Sequence, residues 1–131
     1  MASFNVVIAT SGRETLHKMI DSVAPQLTKD DYLTIIWDCK AMDLHINSKC
    51  QVITIQNEKA LGFWGHASRS RWQNSLPGDY IINGDDDDVF EPNAMVRIRQ
   101  HCTEDKLYVF RMVFENTHIP SYHKIEFGNI G

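Results

Sequence analysis

Apolar residues along this chain fall into short runs cut by polar turns, and the runs alternate between two spacings. Phe4-Asn5-Val6-Val7-Ile8-Ala9 is β-branched and nearly unbroken, the pattern of a strand buried on both faces. After Thr10-Ser11-Gly12-Arg13, the residues Leu16, Met19, Ile20, Val23 and Leu27 recur at helical spacing, and Pro25 should end or bend that helix. Tyr32 to Trp37 predicts a second strand with Asp38 at its end, and Gln51 to Gln56 a third. Ala67 to Leu76 reads as a helix stopped by Pro77-Gly78. Tyr80 to Asn83 predicts a fourth strand. Pro92 fits the first turn of a helix running through Met95, Ile98 and His101. Leu107 to Phe114 predicts a fifth strand and Ser121 to Phe127 a sixth.

Strands alternating with helices predict an α/β domain with a central, mostly parallel sheet flanked by helices. Such sheets bind ligands beyond the carboxyl ends of their strands. Thr10 to Arg13, Asp38 and Asp85 to Asp88 all fall at such ends, so three separate elements converge on one edge.

The length of 131 residues allows one domain, residues 1–131, with a real core. A net charge of −4 argues against a nucleic-acid partner. The charge is uneven, however. Asp85 to Glu91 holds five acids and no base, whereas Lys59 to Arg71 holds Lys59, His66, Arg69 and Arg71 and no acid. A basic segment followed by an acidic one suits a ligand that is itself an anion plus a metal. Three cysteines, Cys39, Cys50 and Cys102, lack metal-type spacing and read as free, small buried hydrophobes in a reducing compartment. The six histidines have no ligand spacing either. No stretch approaches the length of an apolar membrane span, so a cytoplasmic protein with no membrane segment is expected.

Asp85-Asp86-Asp87-Asp88 is the feature that carries chemistry. Acid runs are ordinarily solvated surface. This one lies between Tyr80-Ile81-Ile82 and Val89-Phe90, where apolar character resumes at once. Four adjacent like charges stay together only if well solvated or neutralised by a cation. Carboxylates at a strand end suit a hard divalent ion that takes substrate phosphates as further ligands. Arg13 and Asp38 have plain surface or turn readings beside their functional ones. Trp64, between Gly62 and Gly65, is either core filler or a cover for a sugar or base.

The order strand–Thr10-Ser11-Gly12-Arg13–helix, strand–Asp38, a Gly62 loop with Ala67-Ser68-Arg69, then Tyr80 to Pro92 with its aspartates, resembles the nucleotide-binding half of GT-A glycosyltransferases related to family 2. Within that family it is most similar to the glycosyltransferase domains that build the capsid glycan of chlorella viruses. The resemblance covers the chain up to about Pro92. It implies a Rossmann-like GT-A fold with the nucleotide-sugar-binding part in residues 4–92. It implies an inverting, metal-dependent transfer from a UDP-sugar, with rhamnose as a sugar, to a glycan acceptor such as the viral capsid N-glycan, in the host cytoplasm. Ala9, Thr10 and Ser11 and the carboxylate of Asp38 would hold the uracil. Arg13 and Arg69 would lie near the base or diphosphate. Asp85 and Asp87 are the outer residues of an Asp-x-Asp motif. Asp87 would touch Mn²⁺ (or Mg²⁺), Asp85 the ribose or the metal's shell, and Asp86 the nucleoside. Of the four, Asp88 is the one whose role the resemblance defines least.

Physical logic agrees with these roles. A divalent cation neutralises a diphosphate leaving group, arginine offers planar donors to phosphate, and Asp38 can accept the imide N–H that uracil has and cytosine lacks. Domains of this kind run to roughly double this length or somewhat less, beyond the modal domain size. The acceptor half, with its catalytic base, is therefore expected to be missing and transfer to be slow. The base is unknown; Glu115 is the only late stand-in. Two other classes compete. One is a nucleotide-binding fragment without catalysis. The other is a Toprim-like metal-dependent nucleic-acid enzyme, which wants a glutamate where the first strand here ends in Thr10-Ser11-Gly12.

Overall fold

The computed structural model describes residues 2–110 and the strands Met112–Phe114 and Thr117–Ile119. Four of the expected strands form, as β1 (Phe4–Thr10), β2 (Tyr32–Trp37), β3 (Gln51–Gln56) and β4 (Tyr80–Asp85). They make one all-parallel sheet in the order β3-β2-β1-β4. The fold is thus α/β, with helices α1 (Leu16–Val23), α2 (His66–Trp72) and α3 (Ala94–His101). The chain leaves β1 to build β2 and β3 on one side, then returns to place β4 on the other. That reversal opens a crevice between the carboxyl ends of β1 and β4.

Burial follows the pattern of the runs. Every residue of β1 is buried, whereas Gln51, Val52, Thr54 and Gln56 of β3 are exposed, as befits the edge. On one face of the sheet, Phe4, Val6, Ile8, Leu33, Ile35 and Trp37 pack with Leu16, Met19, Ile20 and Val23 of α1 and Met95 and Ile98 of α3. The i, i+3, i+4, i+7 spacing in α1 is what brings its four residues to one stripe. The other face carries the buried Asn5, Val7, Thr34 and Ile36. There the Thr34 hydroxyl donates to Asn5 Oδ1 at 2.8 Å, so two polar groups within the sheet satisfy each other.

At the amino edge, Asp31 is fully buried and does the work of a cap. Its carboxylate accepts from the amides of Phe4 (3.0 Å) and Thr28 (2.8 Å) and from the Thr28 hydroxyl (3.0 Å). It also pairs with the Arg99 guanidinium, which lies 4.8 Å over the Phe4 ring. One carboxylate thereby ties β1, β2 and α3 together.

As expected, the first helix ends at Pro25, passing after Val23 into a 3₁₀ turn at Ala24–Gln26. Two expectations need adjustment. The third helix begins at Ala94 rather than at Pro92, behind Asn93 in a left-handed conformation (φ 66°). Of the strand predicted over 107–114, the described residues form β5 (Met112–Phe114), which pairs antiparallel with β6 (Thr117–Ile119), whereas residues 107–110 form no strand. Within Leu107 to Phe110, Tyr108 Oη instead accepts the amides of Thr103 and Glu104, folding the segment back on the preceding turn. Leu107, Val109 and Phe110 are left exposed. The expected strand at 121–127 and Glu115 lie outside the described residues.

All three cysteines are free, and burial raises the Cys102 thiol pKa. Among the described residues no helix is long and apolar enough to cross a membrane.

Candidate metal and nucleotide site

Thr10 closes β1 and Asp85 closes β4, one register step apart in the parallel pair, where Ala9 faces Asp85. The four aspartates therefore emerge at the crevice. β4 runs on to Asp85, and the chain then turns, with the Asp88 amide donating to the Asp85 carbonyl at 3.3 Å. That turn places the first and fourth aspartates side by side and sorts four identical residues into two environments.

Asp86 goes inward and is buried. It accepts from the Thr10 hydroxyl at 2.7 Å and from Arg13 Nε at 2.9 Å, and pairs with Arg13 Nη2. Burial alone would raise its pKa, but Arg13 and Thr10 outweigh burial and hold it below the ordinary value. The same pairing raises the pKa of Arg13, whose Nη2 also lies 3.2 Å from Asp87.

The other three point outward. Carboxylate oxygens of Asp85, Asp87 and Asp88 all lie within 4.8 Å of one another. Asp88 is half-buried, and burial, then the charges of Asp85 and Asp87, raise its pKa. Arg69, on α2, steadies the group from the side. Its Nη2 donates to the Gly84 carbonyl at 2.8 Å and to Asp85 Oδ1 at 2.7 Å. Its buried Nε has no partner among the described residues. A buried donor left open beside a carboxylate trio fits a site completed by an anionic ligand together with a cation.

Asp38 stands at the end of β2, as expected, but much of its capacity is spent within the chain. Oδ1 accepts from Asn57 Nδ2 (2.9 Å) and the Leu61 amide (2.6 Å), and Oδ2 from the Gly62 amide (2.8 Å). Burial pushes its pKa up; the Leu61, Gly62 and Asn57 donors overcome that and set it below the ordinary value. Of the two oxygens, Oδ1 takes two of these donors and Oδ2 the Gly62 amide.

The structure thus brings Thr10, Arg13, Asp86 and Asp87 together, and Arg69 with Asp85. Ala9 is buried behind them, its Cβ against Gly65, while Ser11 is exposed. Residues missed from the sequence are Asp88 and Asn57. Asn57 links Asp38 to the Ser68 hydroxyl (2.8 Å) and accepts from Trp72 Nε1 (2.8 Å). Its position just after β3 matches that of Asp38 just after β2, the one signal that was available. The Trp64 side chain lies outside what the structure describes. Two clefts of about 310 and 280 Å³ lie on the β2–β3 side, and no aspartate of the run lines either.

Arg13→Gln should lower stability by about 1.5–3 kcal/mol, because it strips a buried carboxylate of its charged donor. Thermal unfolding would check this, and Arg13→Gln,Asp86→Asn should recover part of the loss.

Comparison with protein-family models, curated proteins and solved structures finds no match.

Proposed function

We propose that this chain is the nucleotide-sugar-binding part of a metal-dependent GT-A glycosyltransferase related to family 2, using a UDP-sugar with Mn²⁺ or Mg²⁺. The observation that carries this reading is the Asp85, Asp87 and Asp88 trio at the crevice of a parallel sheet, steadied by the buried Arg69. The three carboxylates would hold the cation. When bound, the cation supplies charge neutralisation for the departing diphosphate. Arg69 orients Asp85, and its planar guanidinium would offer donors to a phosphate oxygen. Arg13 pairs with Asp86 and Asp87 and sets the local field. The Asp38 carboxylate would accept the uracil imide N–H. The resemblance supplies the rest of the reading, with rhamnose as the sugar and a viral capsid N-glycan as the acceptor.

Calorimetry with UDP and GDP in the presence of Mn²⁺ tests the proposal. UDP should bind more tightly, and chelation of the metal should abolish most of the affinity. Equal affinity for both nucleotides, or binding indifferent to metal, would overturn it.

A further inference from the structure

The loop between β3 and α2 is held rigidly at both ends and presents one aromatic ring in an unfavourable backbone conformation. Asp38 fixes its start by taking the amides of Leu61 and Gly62. Gly65 fixes its end. There φ is +85°, and a Cβ would stand 2.8 Å from the Ala9 Cβ, so only glycine lets the loop close onto β1. Between these anchors Phe63 has φ 56°, in the left-handed region that bulky residues avoid. Its residue is 73% exposed, so the ring gains little from packing.

Glycine or asparagine would satisfy this backbone without strain. An aromatic there costs stability and returns none through burial. Strain of this kind persists where the surroundings over-determine it, and such positions cluster at ligand clamps. The loop's location agrees. Phe63 follows directly on the Gly62 amide that Asp38 holds, and α2, which begins three residues later, carries the Arg69 that reaches Asp85.

We infer that Phe63 is a stacking platform for the nucleobase of the bound nucleotide. This rests on the nucleotide-binding reading and adds to it the residue that grips the base. Stacking would supply affinity for any base, and the Asp38 carboxylate would supply the preference for uracil. A ring face offers this to a planar heterocycle without hydrogen bonds.

The test uses the full chain and three probes: UDP with Mn²⁺, uridine alone, and inorganic pyrophosphate with Mn²⁺. Phe63→Gly removes the ring and the strain together, so it should fold with an equal or higher melting temperature. It should lose about 5- to 100-fold in affinity for UDP and for uridine, while pyrophosphate affinity stays unchanged. Phe63→Tyr keeps the ring and should keep the affinity. Unchanged UDP binding in Phe63→Gly, or an equal loss for pyrophosphate, overturns the inference alone. Failure of the unaltered chain to bind UDP overturns the parent reading and this one with it.

Discussion

Asp31→Ala should remove about 3–5 kcal/mol of folding stability, the cost of breaking a buried pair by deleting one partner. In a domain of this size that corresponds to roughly 10–20 °C in melting temperature. The loss exceeds that of a surface ion pair because Asp31 is fully buried and serves four donors at once. Deleting it leaves the Phe4 and Thr28 amides and the Arg99 guanidinium without their acceptor. Arg99→Met should cost less, since the carboxylate keeps its other three donors. A pH series adds a second arm. Burial pushes the Asp31 pKa up, but Arg99 and the Thr28 and Phe4 amides together bring it below the ordinary value. Its contribution is therefore present above the unfolded-state value of about 3.9 and is lost as pH falls through the lower folded-state value. Acid unfolding monitored by circular dichroism should show this, and Asp31→Asn should be flatter in that range. A loss under about 1 kcal/mol for Asp31→Ala would mean that the amino edge is held some other way.

The second large effect concerns the aspartates. Asp87→Asn should weaken Mn²⁺-dependent UDP binding by about 10-fold or more, since affinity for a hard cation follows the number of charged ligands. Asp88→Asn should weaken it less and should also raise metal-free stability, because burial and two like charges penalise its ionised form. Asp86→Asn should behave oppositely to both. It should lower stability and leave metal affinity nearly unchanged, because Asp86 faces Thr10 and Arg13. Titrations of the three variants with Mn²⁺ and UDP, beside melting curves, would separate these profiles. If Asp86→Asn proved the most damaging to metal binding, the division of the run into one inward and three outward carboxylates would be wrong.

That division marks where the sequence stops being legible. The two inner strands could be read directly, because a strand buried on both faces has to be an unbroken apolar run, as in Val6-Val7-Ile8, and the two edge strands β3 and β4 were legible as short β-branched runs between polar turns. Their carboxyl ends then located the crevice. Which aspartate does what could not be read. An Asp-x-Asp pattern selects positions i and i+2, whereas the turn that closes with the Asp88 amide on the Asp85 carbonyl brings i and i+3 together. Asp38 shows the same limit. Its place at a strand end was visible, but its partners lie about twenty residues further on, at Asn57, Leu61 and Gly62, where only the folded chain reveals them. Leu107 to Phe110 failed for a related reason. Apolar content there predicted a strand, and the hydroxyl of Tyr108 decided otherwise by capping the turn behind it.

The central position of β1 bears on how the site comes apart. Thr10 and Asp86 are joined across the β1–β4 seam, and the Thr10 carbonyl also accepts the Asp38 amide from the β2 side. Prying Asp86 loose means melting its turn or parting the middle of the sheet, which is nearly the whole domain. Slow hydrogen exchange at these strand-end amides should then track global unfolding, and a protease should find them only in the fully opened chain. The Leu61–Gly65 loop belongs to the same frame. Asp38 holds its start through two amides, and Gly65 seats its end against Ala9 of β1. A ligand entering such a place would meet walls already set rather than shape them on arrival.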